Sequence, residues 1–159
     1  MKGDTGLIYI GIEIKNFGQT PADITNIVLR PIVISPHNAP LPAQPDYSGD
    51  GTLFPKAFLV SQDWFSIFHV FRIAKSEIDA IKIWDADLYV IGYVDYIDKF
   101  GARHRGGYAR KYTYARDDRK AYASDDEFAQ RSNLIFVTQD GYNYDRPRIR
   151  GEGDDWDQA

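Results

Sequence analysis

Apolar and polar residues alternate along residues 7–15. Ile8, Ile10, Ile12 and Ile14 share one parity, and the other parity holds Tyr9, Gly11, Glu13 and Lys15. An alternation of period two predicts a β-strand that packs against a core on one side only. The next segment, residues 16–22, combines Asn, Gly and Pro and predicts a turn.

A second strand is predicted over residues 23–34, which are rich in β-branched side chains. Pro31 lies inside this run, and a proline cannot donate to a strand ladder, so we expect an edge position or a bulge there. Residues 35–51 contain four prolines among Asn, Asp, Ser and Gly. This composition predicts a long surface loop.

Residues 65–73 again favour a strand. One face would carry Phe65, Ile67, His69, Phe71 and Ile73, although helical spacing stays open for so short an apolar run. A short helix is predicted just after it, over residues 76–81. Ser76 suits its N-cap, Glu77 and Asp79 suit its first turn, and Ile78 and Ile81 would face one side.

The stretch 88–114 is the one around which the chain is organised. It predicts two antiparallel strands joined by a turn at residues 99–102, where Gly101 can supply a positive φ. Asp98 suits the first position of that turn. The valines of the first arm and Ile8 to Ile14 of the first strand are expected to share one core between two stacked layers.

Later segments complete a single domain. Residues 115–130 are charged, and Ser124 begins either a helix or a solvated loop; residues 133–138 predict one more strand. About six to eight strands in all predict an all-β protein, an immunoglobulin-like antiparallel β-sandwich with one short helix before the central hairpin. The predicted domain spans residues 1–139. Residues 140–159, rich in Gly, Pro, Arg and Asp, predict an extended, largely disordered acidic tail.

Composition agrees with this fold class. The chain has 159 residues, of which 14% are aromatic and 11 are Tyr, and its net charge is only −4. It contains no cysteine, which excludes disulfides, thiolate metal sites and cysteine nucleophiles. No apolar run approaches the roughly 20 residues of a membrane helix, and the first strand follows Met1 almost directly. We therefore expect that any N-terminal membrane anchor is missing from this sequence.

Several motifs occur here in a recognisable order. They are Asn16 to Ala22 (NFGQTPA), residues 76–81 leading into residues 88–92, residues 94–101 (VDYIDKFG), and Gly141 to Asn143. This set resembles uncharacterised bacterial proteins in which N-terminal membrane segments precede an immunoglobulin-like domain. The resemblance implies a β-sandwich of the cell envelope that is attached to a membrane, and it does not specify the side of the membrane. It implies no catalytic residues.

Candidate catalytic groups do not converge in the sequence. His37, His69 and His104 show no metal-ligand spacing, and His69 is expected in the core. Asp95 and Asp98 have opposite strand parity, so their side chains should point to opposite faces rather than act as a pair. No nucleophile elbow, phosphate-binding loop or EF-hand spacing is present. We expect no enzyme activity and no cofactor; a hydrolase or a loose calcium site built from loops stays an alternative.

Residues 103–120 are the most distinctive run, because basic residues and tyrosines interleave there. The candidate binding residues are Arg103, Arg105, Tyr108, Arg110, Lys111, Tyr112 and Tyr114. Arginines with aromatic rings can bind a polyanion, a glycan or single-stranded nucleic acid. The favoured alternative is a cationic sheet edge that pairs with the acidic residues 152–157, since the overall charge is negative.

The function expected from these patterns is protein–protein contact or self-assembly. Tyr and Trp are enriched at interfaces, so Trp64, Trp84 and the hairpin tyrosines are the expected contact residues. The partner would be another protein or a second copy of the chain.

Overall fold

The computed structural model describes residues 5–47, 52–53, 56–114, 132–150 and 152. In these ranges the elements, in chain order, are β1 (Thr5–Lys15), β2 (Ala22–Ile34), β3 (Thr52–Leu53), β4 (Ala57–Leu59), β5 (Trp64–Ala74), α1 (Lys75–Lys82), β6 (Asp87–Asp98), β7 (Arg103–Tyr114), β8 (Ser132–Phe136) and β9 (Tyr144–Pro147). The predicted helix start at Ser124 lies outside the described residues.

Two antiparallel sheets make up the fold. β1 and β5 form a two-stranded ribbon whose register runs from Thr5 opposite Ala74 to Lys15 opposite Trp64. The larger sheet has the order β3-β2-β6-β7-β8, with β4 also paired to β2 and β9 to β7. The predicted all-β sandwich with one short helix before the central hairpin is confirmed. The immunoglobulin-like arrangement of its strands stays a prediction.

The main core lies between the ribbon and the larger sheet. Ile8 and Ile10 of β1 are buried in one cluster with Leu88 and Val90 of β6, and Ile12 and Ile14 pack against it. The same cluster takes Ile67, Phe71 and Ile73 from β5 and Ile27 and Leu29 from β2. The predicted shared core of the alternating isoleucines and the hairpin valines is therefore confirmed.

A second cluster covers the other face of the larger sheet. Tyr89 and Ile91 of β6 and Ala109 of β7 are buried there together with Leu41 and Tyr142. Leu41 belongs to the Pro-rich loop, which was predicted to run over the surface. The loop folds back because Leu41 and the partly buried Tyr47 supply apolar side chains for β6.

The predicted tail from residue 140 also differs from the structure. β9 pairs with β7, the Tyr142 side chain is fully buried, and Arg148 is buried as well. Apolar burial and ladder hydrogen bonds hold this segment, which composition alone did not indicate. Residues 151 and 153–159 lie outside the described residues.

Pro31 occupies the kind of position that was predicted for it. Across the sheet it faces Val90, while on the opposite edge of β2 the partners β3 and β4 cover only residues 28–29 and 22–24. The missing N–H therefore has no ladder partner to lose at that edge in the described part of the chain. The bulge of β2 lies instead between Ile24 and Asn26, where the Thr25 hydroxyl donates to the Asp95 carbonyl at 3.3 Å.

The prediction that Ser76 caps the helix is wrong. β5 continues to Ala74, which is the N-cap, and Ser76 lies inside the first turn. The Glu77 carboxylate accepts the Ala74 N–H at 3.2 Å, as in one half of a capping box. At the hairpin turn, by contrast, the prediction is confirmed: the Asp98 carboxylate accepts the N–H groups of Phe100 and Ala102, each at 2.9 Å, and Gly101 has a φ of 82°.

Glu152 ties the last described segment to the sheet. Its carboxylate accepts two hydrogen bonds from Arg146, at 2.6 and 2.9 Å, and a third from the Ile149 N–H at 2.8 Å. Arg105 lies 3.6 Å from the same carboxylate. The pKa of Glu152 is lowered to about 2, mainly by the hydrogen bonds from Arg146. The Ile149 N–H and the charge of Arg105 contribute less.

We predict a stability difference between the wild type and Glu152→Gln that depends on pH. A carboxyl pKa that is lower in the folded state stabilises the fold above the unfolded pKa, and this contribution is lost as the pH falls through the folded value. The variant should be less stable by on the order of 1 kcal/mol at pH 7, because Glu152 is partly solvated. The free energies of unfolding of the two proteins should converge as the pH falls from about 5 to about 2. Urea denaturation across this range measures the difference, and Glu13→Gln on the exposed face of β1 is the control. A difference that is constant with pH would contradict the assignment.

Candidate interaction surface

The residues predicted as contacts lie in separate places. Trp64 is on the outer face of the ribbon, whereas Trp84 follows α1. The candidates of the basic run lie on β7, and Arg116, Arg119 and Lys120 of that run are outside the described residues. The ribbon presents an exposed apolar surface.

The outer side of the ribbon is lined by the odd residues of β1 and the even residues of β5. We call the apolar members of this side the ribbon face: Leu7, Tyr9, Trp64, Phe68 and Val70. All five are exposed; Phe68 is 83% accessible, Tyr9 72% and Trp64 56%. The register places Tyr9 opposite Val70 and Gly11 opposite Phe68, so these side chains are cross-strand neighbours.

Gly11 has a local role in this surface. A Cβ at this position would lie 3.1 Å from Cε1 of Phe68, so the ring lies across the glycine backbone. Single exposed apolar residues are ordinary in soluble proteins, but a contiguous stripe of aromatic and aliphatic side chains marks an interaction site. Leu7, Tyr9, Phe68 and Val70 of the ribbon face form such a stripe, and Trp64 lies beyond Ser66 on the same side.

Both edges of the ribbon are also suited to interaction with another strand. Because the sheet has two strands, β1 and β5 each have one edge without a strand partner among the described residues, and each strand is 11 residues long. Their register runs without a bulge, and neither strand contains proline. Bulges and prolines are devices that normally blunt an edge, so their lack leaves β1 and β5 open to pairing. Among the outward side chains of the ribbon the charges are Glu13, Lys15 and Arg72, all away from its centre.

Arg105, by contrast, is committed to a buried ion pair. Its Nε and one Nη donate to the two carboxylate oxygens of Asp95 at 2.7 and 2.9 Å, and its guanidinium lies 3.8 Å from the ring centroid of Tyr93. Arg148 approaches the same carboxylate at 3.7 Å. Burial acts against the charged guanidinium, but the hydrogen bonds and charge of Asp95 outweigh it and raise the pKa of Arg105.

The neighbouring cations of β7 also have partners. Lys111 donates to Asp87 at 2.8 Å, and Arg110 donates to the Asn143 side chain at 2.9 Å and lies over the Phe136 ring. Tyr108 packs against the core, where its hydroxyl donates to the Val28 carbonyl at 3.4 Å. Glu152 lies beside Arg105, as the alternative of a cationic edge paired with acidic residues predicts. Binding of a polyanion by residues 103–120 stays a prediction.

The candidate catalytic and metal-binding side chains also lie apart from one another. Asp95 is buried beside Arg105 while Asp98 caps the turn and lies 3.3 Å from His104, so the two carboxylates do face apart. His69 is partly buried against Phe71, and burial lowers its pKa. Within the ranges that the structure covers, no group of three His, Asp or Glu residues could hold a metal ion.

A comparison with protein-family models finds no match, and comparisons with curated proteins and with solved structures find none either. The likeness to membrane-attached envelope proteins therefore stays a prediction. None of the helices in the described ranges has the length and hydropathy to cross a membrane.

Phe68 and Tyr9 are the site residues that sequence reasoning missed. The signal was present in β5, where apolar residues occur at both parities: Ile67 and Phe71 on one side, Phe68 and Val70 on the other. A strand that is apolar on both faces is expected to be covered on both. In the structure, one face of β5 is buried and the other is exposed.

We predict that Arg105→Ala affects stability far more than Arg30→Ala. Asp95 and Arg105 have side-chain accessibilities of 1% and 8%, so removing the arginine leaves a buried carboxylate without its two hydrogen bonds, and Arg148 at 3.7 Å is the cation that remains beside it. This should cost about 3–5 kcal/mol in the free energy of unfolding. The Arg30–Asp46 pair is far more exposed, at 31% and 66%, and its loss should cost about 0–1 kcal/mol. Chemical denaturation measures both, and equal losses would contradict the burial argument.

Proposed function

We propose that this protein is a non-catalytic interaction module in which the ribbon binds a second copy of the chain. The observation that carries the proposal is the exposed ribbon face combined with a regular 11-residue edge on β5 that has no strand partner among the described residues. An unpaired strand edge binds another strand through main-chain hydrogen bonds, and the neighbouring side chains set the register.

The sequence of β5 supports a second copy as the partner. If β5 pairs with itself antiparallel about a two-fold axis at Phe68, the two Phe68 rings lie opposite each other. The same register places Ser66 opposite Val70 and Trp64 opposite Arg72. Aromatic pairs and a cation near a tryptophan are favourable cross-strand contacts, and no like charges meet. A two-fold contact of this kind is closed, so it yields a dimer rather than a fibre.

The edge of β1 is less suitable for the same contact. Self-pairing about Gly11 would place Leu7 opposite Lys15 and Tyr9 opposite Glu13, which sets apolar side chains against charges. Pairing through β5 instead joins two ribbons into one four-stranded sheet of order β1-β5-β5-β1. Attachment of this module to a membrane through a preceding segment, as the resemblance implies, is a separate part of the proposal.

We predict that Phe68→Asp abolishes self-association. The mass of the wild type should rise with concentration to that of a dimer. The mass of the variant should stay that of a monomer, because two carboxylates would meet at the two-fold axis. Analytical ultracentrifugation over a concentration series measures the mass. The matched control is Phe100→Asp, since Phe100 is 80% exposed but lies in the hairpin turn. A wild type that stays monomeric, or equal loss in both variants, would overturn the proposal.

We also predict that Phe68→Cys forms a disulfide-linked dimer under mild oxidation. Facing residues of an antiparallel pair have Cα atoms about 4.5–5.5 Å apart, within the range of a disulfide. The natural chain has no cysteine, so the new thiol is unique. Phe100→Cys is the control and should remain uncrosslinked. A mixture of Ser66→Cys and Val70→Cys should form the mixed dimer in preference to either homodimer. Crosslinking that is equal at all positions would contradict this register.

A further inference from the structure

A small pocket lies where the end of α1, the Pro-rich loop and the far end of β7 meet. Its volume is about 290 Å³, and its lining includes His37, Trp84, Asp87, Lys111, Tyr112 and Ile135. Three residues that the sequence analysis singled out for binding, Trp84, Lys111 and Tyr112, come together here. This size is at the lower limit of ordinary ligand sites, so it suits a ligand of one ring.

Asp87 organises the polar side of this pocket. Its carboxylate is 5% exposed, with one oxygen 2.7 Å from Nδ1 of His37. The other oxygen accepts the Asn38 N–H at 2.7 Å and Nζ of Lys111 at 2.8 Å. Burial alone would raise the pKa of Asp87, but these hydrogen bonds and the charge of Lys111 lower it. The carboxylate is therefore ionised and held by three donors.

The groups left for a ligand follow from these contacts. With Nδ1 of His37 engaged by Asp87, the other ring nitrogen, Nε2, is the one that can bond to a ligand. Lys111 has three N–H donors, and it uses two of them on Asp87 and on the Asn38 side chain, at 2.8 and 3.1 Å. The pocket thus offers a donor and an acceptor within one fixed network.

Trp84 forms an aromatic wall at a conformational cost. It has a φ of 66°, in the left-handed region that favours glycine. Its N–H donates to the Ile81 carbonyl at 3.2 Å and the Asp85 N–H donates to that of Ala80 at 2.9 Å, the bond pattern of a Schellman helix end. Glycine is the usual residue at this position. Trp84 instead packs edge-to-face on the His37 ring, with centroids 4.8 Å apart.

We propose that this pocket binds one ring of a neutral, hydroxyl-rich ligand, a monosaccharide unit. The charges of Asp87 and Lys111 cancel, so the site offers no net attraction for an anion. An aromatic wall suits the C–H face of a sugar ring, and the adjoining donor and acceptor suit its hydroxyl groups. Strained backbone at a bulky residue is typical of functional sites, which explains a tryptophan where glycine fits best. The site lies on the larger sheet, and its test does not depend on dimer formation.

The experiment is an NMR titration of ¹⁵N-labelled protein with glucose, galactose, mannose and N-acetylglucosamine in turn. At least one sugar should shift the indole N–H resonance of Trp84 and leave that of Trp64 in place. Trp84→Gly should weaken the binding of that sugar at least tenfold. It should not lower the melting temperature, because glycine relieves the backbone strain. Trp84→Asn, which also tolerates a positive φ, should behave in the same way.

Trp64→Ala is the matched control, since it removes an exposed tryptophan from the ribbon face, and it should bind the sugar as the wild type does. The proposal is overturned if no sugar moves the Trp84 resonance up to about 10 mM. It is also overturned if Trp84→Gly retains affinity. Glucuronate, tested beside glucose, checks the charge argument: binding of the acid alone would show an anion site instead.

Discussion

Burial of β6 on both faces is the constraint on which the rest of the structure depends. Leu88 and Val90 face the ribbon, Tyr89 and Ile91 face the opposite side, and β2 and β7 pair with its edges. A polar side chain on such a strand needs a partner, because an unpaired buried charge costs several kcal/mol. Asp87 and Asp95 both find cations on β7, at Lys111 and Arg105. The candidate pocket and the buried ion pair are thus two outcomes of one constraint.

The two sheets differ in how completely they are covered. The Pro-rich loop and the segment around Tyr142 cover the outer face of the larger sheet, while the outer face of the ribbon has no such layer among the described residues. Tyr9 and Phe68 are therefore left exposed on the ribbon. Pairing through β5 would cover part of that surface where the two Phe68 rings meet, at about 25 cal/mol per Å² before the costs of association.

Local pattern was sufficient for the parts of the fold that neighbouring residues determine. The alternation of β1, the helix before the hairpin and the Gly101 turn all follow from spacings of a few residues. Contacts between distant segments were not predictable in this way: Leu41 meets Tyr142 across about a hundred positions, and nothing local indicates it. The Asp95–Arg105 pair lies between these cases. Its two residues face each other once the turn at 99–102 fixes the hairpin register, but the pair is also contacted by the distant residues Arg148 and Glu152.

Trp84 and Phe68 share a physical feature despite their separate locations. Each departs from the residue that local rules favour: glycine at a left-handed helix end, and a polar side chain on an exposed strand face. A left-handed bulky residue costs about 1–3 kcal/mol, a notable part of a total stability of about 5–15 kcal/mol. Departures of this kind are expected where function rather than folding selects the residue. Because one lies beside the larger sheet and the other on the ribbon, substituting either should leave the other's binding intact.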